Sequence, residues 1–242
     1  MSPRAYDSFV QQVLHSSTLQ PYLPTVRRLC LYYYSRFPTF RLGDLSPEYP
    51  RMECTSAYRL FLLEFAGCLP HLEALTLHNL DWGAHQPLAT EPLLVSTFSS
   101  LTYLRLRTCS LPSFTFLRRA LTAIPSLESF SIYEVSWKAN NMTDVVPNAD
   151  TEEGFWLFEF DFEYFYHQPC SDALLLWLLQ TPSRSSIDTL RFKPCYYIHP
   201  DHGLEPHRLS VAQERFLTLI APHIVYATLT PVGMSTKLPF EY

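Results

Sequence analysis

Leu101-Thr102-Tyr103-Leu104-Arg105-Leu106, running on to Cys109 and Leu111, is the stretch that decides the fold. In a strand, successive side chains point to opposite faces, so Leu104 and Leu106 share one face while Tyr103, Arg105 and Arg107 share the other. The same spacing, with bulky apolar residues at the first, fourth and sixth positions, recurs along the chain. It returns as Leu72-Glu-Ala-Leu75-Thr-Leu77, Leu127-Glu-Ser-Phe130-Ser-Ile132, Leu157-Phe-Glu-Phe160-Asp-Phe162 and Ile187-Asp-Thr-Leu190-Arg-Phe192. Weaker copies are Val26-Arg-Arg-Leu29-Cys-Leu31 and Ile224-Val-Tyr-Ala227-Thr-Leu229. The copies begin at 26, 72, 101, 127, 157, 187 and 224, at intervals of 46, 29, 26, 30, 30 and 37. Between the last two apolar positions of the five stronger copies stand Thr76, Arg105, Ser131, Asp161 and Arg191, all polar, as a solvated sheet face requires.

Leucine-rich repeats have this spacing and a period of about 20–29 residues, and their longer consensus goes on to an Asn or Cys and then a Leu. Cys109 and Leu111 complete it; Leu80 with Trp82, Val135 with Trp137 and Cys195 with Tyr197 fit it loosely. Apolar stretches of helical character fall between the copies, at residues 6–19, 56–68, 114–124, 171–180 and 211–220. Several open on a Ser, Thr or Asp suited to an N-cap, and Pro70, Pro125, Pro182 and Pro222 stand just before the next strand. The unit is therefore helix, turn, strand. The predicted fold class is α/β, a leucine-rich-repeat solenoid of about six to seven irregular repeats, with a curved parallel sheet inside and helices outside. Strand–helix alternation alone is also compatible with an ordinary parallel α/β domain, and the recurrent spacing favours the solenoid. Polar stretches interrupt the units near 38–55, 83–92, 138–154 and 194–210; residues 138–154 read as a surface insertion within a single domain spanning 1–242.

Composition narrows the function classes. Lys and Arg number 18 against 23 Asp and Glu, a net charge of −5, which argues against a general nucleic-acid binder. Only 6 glycines are present and none forms G-x-G, so a phosphate-cradling loop is not expected. Six cysteines, at 30, 54, 68, 109, 170 and 195, include no C-x-x-C and read as buried thiols of a reducing compartment. The first residues lack the apolar run of a signal peptide, and the longest apolar run, residues 173–179, is too short to span a bilayer. The expectation is a cytoplasmic or nuclear protein with no membrane partner.

Several segments resemble the repeat region of F-box proteins from mushroom-forming fungi. They are Leu69-Pro-His-Leu-Glu-Ala-Leu-Thr-Leu77, Phe98-Ser-Ser-Leu-Thr-Tyr-Leu-Arg-Leu106, Ile124-Pro-Ser-Leu-Glu-Ser-Phe130, and Ser171-Asp-Ala-Leu-Leu-Leu-Trp-Leu-Leu179 leading through Thr181 to Leu190. The resemblance covers most of residues 56–193. It implies a substrate receptor of an SCF-type ubiquitin ligase, in which an N-terminal F-box docks on a Skp1-type adaptor and the repeats hold the substrate. No F-box is recognised here, because residues 1–25 read as the helix and turn of the first repeat. A Skp1-type adaptor is therefore implied only if an F-box lies elsewhere; the alternative is a non-catalytic truncated relative without a ligase link.

The candidate partner-binding residues lie on the polar sheet face. Between Lys138 and Arg184 there is no Lys or Arg, while Asp144, Asp150, Glu152, Glu153, Glu159, Asp161, Glu163 and Asp172 are all acidic. In the repeat register Glu159, Asp161 and Glu163 share the polar face of one strand. Thr189, Arg191 and Lys193 follow on the next, and Tyr103, Arg105 and Arg107 lie two strands before. One reading is an acidic stripe that meets a basic segment of a partner protein. The other is a lateral ladder of ion pairs, Asp161 to Arg191 and Glu163 to Lys193, contributing roughly 0–1 kcal/mol each. Tyr32, Tyr33, Tyr103 and Tyr133 on or beside this face are interface anchors or covers for their neighbours. Trp82, Trp137, Trp156 and Trp177 read as core or repeat-edge residues. His199, Asp201, His202 and His207 are suitable zinc ligand types but match no metal spacing, and a solvated loop is the favoured reading. No catalytic motif is found. No metal or other cofactor is expected, and a hydrolase-type enzyme with a loop-built site is the less favoured alternative.

Overall fold

The computed structural model describes residues 8, 10–32, 64–80, 82, 95–137, 155–163, 168–193 and 209–229. Its strands, in chain order, are β1 (Arg28–Tyr32), β2 (Ala74–His78), β3 (Tyr103–Arg107), β4 (Ser110–Leu111), β5 (Ser129–Tyr133), β6 (Ser136–Trp137), β7 (Glu159–Glu163), β8 (Thr189–Lys193) and β9 (Tyr226–Leu229). Seven of them form one parallel sheet in the order β1-β2-β3-β5-β7-β8-β9, and β4 pairs with β6 in a separate two-stranded sheet. Spatial order thus follows chain order across the main sheet. The architecture is α/β.

Each of the seven strands starts two residues after its apolar pattern begins, the two weaker copies included. Register places like with like. Leu29, Leu75, Leu104, Phe130, Phe160, Leu190 and Ala227 form one cross-strand row, and Leu31, Leu77, Leu106, Ile132, Phe162, Phe192 and Leu229 form another. Both rows lie on the apolar face, where Leu75, Phe130, Ile132, Phe160 and Phe162 are fully buried.

The backbone repeats as closely as the side chains do. Before a strand, the N–H groups of Val26, Leu72, Leu101, Leu127 and Ile224 close tight turns by donating to the carbonyls of Leu23, Leu69, Phe98, Ile124 and Ala221. Four of these turns carry a proline in second place, Pro24, Pro70, Pro125 and Pro222, whose fixed φ suits that position. At the strand entrance one carbonyl accepts two successive N–H groups from the next strand. Glu73 and Ala74 donate to Arg27, Thr102 and Tyr103 to Glu73, Glu128 and Ser129 to Thr102, and the pattern continues through Phe158, Asp188 and Val225. After the strand, Asn79, Thr108 and Glu134 take φ of 59°, 53° and 50°. These left-handed residues turn the chain so that the next residues, Leu80, Cys109 and Val135, are buried, with Trp82, Leu111 and Trp137 buried two positions further on.

Helices α1 (Phe114–Thr122), α2 (Gln168–Leu178), α3 (Ser183–Ser186) and α4 (Val211–Ile220) lie between strands. Ser113 caps α1 by accepting from the Phe116 N–H at 3.1 Å. Ser210 and Gln213 form a reciprocal capping box on α4. Apolar residues of the helices meet the apolar sheet face: Phe216 of α4 packs edge-on against Phe160 of β7, and Trp177 of α2 packs against Phe114 of α1 and Phe155. Phenylalanines enter the apolar rows at Phe130, Phe160, Phe162 and Phe192, with Phe162 stacked on Phe192 at 5.0 Å. Burying each such side chain stabilises the fold by about 1.5–3 kcal/mol.

Two expectations need correction. The helix expected over 6–19 gives way to a turn at Leu14, because Ser16 offers the Leu19 N–H both its hydroxyl and its carbonyl. The thiols are not uniformly buried: Cys109 is buried, but Cys30 is exposed because it sits on the polar face of the edge strand β1. Trp156 is half exposed, whereas Trp82, Trp137 and Trp177 are buried. Residues 38–55, 56–63, 83–92, 138–154 and 194–208 lie outside the described residues, and so does Tyr33. Among the described residues no helix is long and apolar enough to cross a membrane.

Candidate functional site on the polar sheet face

The face opposite the core carries three cross-strand rows. The first runs Arg28, Ala74, Tyr103, Ser129, Glu159, Thr189, Tyr226; the second runs Cys30, Thr76, Arg105, Ser131, Asp161, Arg191, Thr228. The third runs Tyr32, His78, Arg107, Tyr133, Glu163, Lys193. All nine candidate residues, Tyr103, Arg105, Arg107, Tyr133, Glu159, Asp161, Glu163, Arg191 and Lys193, therefore stand on one surface.

The acidic strand is engaged from both sides. Toward β8, Lys193 Nζ donates to Glu163, and the Arg191 guanidinium lies 3.6 Å from Glu159 and 3.9 Å from Asp161. Toward β5, the Ser129 hydroxyl donates to Glu159 at 2.9 Å and the Ser131 hydroxyl to Asp161 at 3.3 Å. The lateral ladder read from the sequence is present. The two serines were missed there, although the register places them directly opposite the acids.

The middle of this face is drier than a solvated sheet surface. Ser131 and Asp161 are buried, at 2% and 8% exposure. Both are short side chains standing between longer ones, Arg105 on β3 and Arg191 on β8, so water reaches the long side chains first. Burial raises the Asp161 carboxyl above its ordinary range and nearby Glu163 adds to this, while Arg191, Arg105 and Lys193 oppose it. Asp161 Oδ1, Arg105 Nε and His78 Nδ1 are buried without a hydrogen-bond partner.

On β1–β5 the face is aromatic and basic. Tyr32 stacks on His78 at 4.3 Å, and the Arg107 guanidinium lies 4.7 Å from the centre of the Tyr133 ring, in cation–π contact. Burial, with Arg107 and Arg105 nearby, holds the His78 imidazole below its usual pKa against the opposing pull of Glu134. Burial raises the Tyr133 phenol, and Glu134 pushes the same way. Glu134 itself accepts from the Thr108 hydroxyl at 3.1 Å.

Comparison with family models, curated proteins and solved structures finds no match to this chain.

Among the described residues, the other features supply no reactive constellation. An apolar cavity between the sheet and α1, lined by Leu75, Leu77, Leu104, Leu106, Phe116 and Leu117 among others, offers no acid, base or nucleophile. Burial pushes the Cys109 thiol up to about 12, which keeps it protonated and unreactive. Among the described residues no three His, Cys, Asp or Glu side chains gather where a metal ion could bind. The His199 to His207 cluster lies outside the described residues.

Proposed function

We propose that the chain is a leucine-rich-repeat-type solenoid that works by holding another protein on its polar sheet face. The observation that carries this reading is the register. Seven parallel strands in chain order array three rows of side chains on one surface, with tyrosines, arginines and carboxylates at fixed spacing. Such a surface offers aromatic anchors together with charged groups that select a partner. The resemblance to fungal F-box repeats supports a more specific role, substrate recognition for a ubiquitin ligase, with a Skp1-type adaptor as a second partner only where an F-box is supplied.

Quantitative affinity capture tests the assignment. A specific partner is expected to be retained by the wild type and by Arg215→Ala, whose exposed side chain lies on α4. The same partner should be depleted at least fivefold by Tyr103→Ala combined with Tyr133→Ala. Equal capture by wild type and the tyrosine double variant, with circular dichroism showing both folded, removes this face as the binding surface.

A further inference from the structure

We infer that the β1–β5 half of the polar face takes an acidic peptide segment, with Arg105 and Arg107 receiving its carboxylates. This rests on the reading of the polar face as the partner-holding surface and assigns the chemistry of what it holds. The acidic strand β7 catches the eye in the sequence, yet its charge is already engaged. Glu163 is bonded to Lys193, Glu159 and Asp161 share Arg191, and two serine hydroxyls point at the same carboxylates. The basic side chains of β1 and β3 are held more loosely: Arg107 lies over the Tyr133 ring and Arg105 is a neighbour of Asp161 without an ion-pair contact. Among the described residues no carboxylate forms an ion pair with Arg28, Arg105 or Arg107, and Arg105 Nε is left without an acceptor. The charge available to a partner is therefore positive, although the chain as a whole carries a net charge of −5.

Geometry favours a peptide over a globular surface or a nucleic acid. The four strands of this half, β1, β2, β3 and β5, about 4.8 Å apart and five residues long, give a face on the order of 300 Å². A standard globular interface covers about 800 Å² per partner, so the described face fits a single extended segment better. Arg105 and Arg107 lie two residues apart on one strand, a separation of about 6.7 Å, which equals the spacing of alternate side chains in an extended peptide. Two carboxylates at alternate positions thus meet two guanidinium groups, each able to bind a carboxylate through paired N–H donors. Tyr32, His78 and Tyr133 supply flat rings beside the guanidinium groups, against which the same carboxylate-bearing side chains lay their apolar stems. The carboxylates of β7 on the same surface repel a long polyanion.

Fluorescence anisotropy with the full chain tests the inference. The probes are a labelled peptide of about eight residues alternating Glu and Ser, its Lys and Ser counterpart, and a single-stranded oligonucleotide of similar length. The Glu peptide is expected to bind, to weaken as salt is raised, and to lose at least tenfold in affinity with Arg105→Ala and Arg107→Ala together. Arg119→Ala on α1 is expected to bind it as the wild type does. Arg107 is exposed, so Arg107→Ala alone keeps the test decisive should the double variant fail to fold, with a loss of at least threefold expected. Preference for the Lys peptide, tighter binding of the oligonucleotide, or no binding of the Glu peptide overturns the assignment. None of these outcomes touches the face reading itself, which the tyrosine variants decide separately.

Discussion

Asp161 and Arg191 stand opposite each other on β7 and β8 with 3.9 Å between carboxylate and guanidinium, yet the arginine side chain is 47% exposed and the aspartate side chain 12%. The acid gives up far more water than its partner does. Its carboxyl is raised above the ordinary value of 3.8 mainly by burial, despite three basic neighbours. A carboxyl with a raised folded pKa binds more protons folded than unfolded, so stability falls as pH rises above 3.8 through the native value. Asp161→Asn is therefore expected to gain on the wild type between about pH 3.5 and about pH 7. Urea unfolding across that range measures it; a variant that instead loses ground as pH rises shows that the ion pairs outweigh the desolvation.

Lys193 and Glu163 form the more sheltered rung of the ladder, with side chains 31% and 14% exposed. A double-mutant cycle with Lys193→Ala and Glu163→Ala should return a coupling of about 0.5–1 kcal/mol, near the upper end for partly exposed pairs. Raising the salt concentration should shrink it. Zero coupling at low salt would leave the pair without energetic weight.

The Phe162–Phe192 stack, with ring planes within 7° and both rings buried, ties the two rungs together on the apolar side. Phe162→Ala should cost about 3–5 kcal/mol, and Phe162→Leu much less, since leucine already fills the same row at Leu77 and Leu106. Chemical denaturation distinguishes the two. Similar losses for both would point to a stacking contribution beyond volume.

Ser210 serves two helices at once. Its hydroxyl accepts from the Gln213 N–H at 3.1 Å to cap α4 and donates to Asp172 of α2 at 2.6 Å. Ser210→Ala is expected to cost about 1–2 kcal/mol, because the cap and the inter-helix bond are lost together. Asp172→Ala should cost less, since the cap survives. A thermal melt that ranks them the other way would place the main contribution in the link between helices.

The strands were legible because each rung must bury two side chains on one face, and that demand writes the spacing seen at Leu104 and Leu106 into every copy. Even Ala227, a poor match, falls in register because its neighbours fix it. The ladder from Glu163 to Lys193 followed from the same register. Burial of Asp161 did not, since it depends on the length of side chains on strands brought together only by folding. Nor did the engagement of the acids by Ser129 and Ser131, whose small side chains give no pattern in one dimension. The early end of the helix expected over 6–19 turned on competition from Ser16, a local hydroxyl that hydrophobic spacing does not register.

The paired N–H donations onto one carbonyl, repeated from Arg27 to Asp188, fasten the backbone of each strand to its immediate neighbours in the sheet. β9 sits at the end of that series, with Val225 and Tyr226 largely exposed. In an array held by nearest neighbours, opening starts at the margins and moves inward. Amide protons of β9 should therefore trade for deuterium early and those of β5 late, giving the sheet a graded clock of hydrogen exchange from rim to centre.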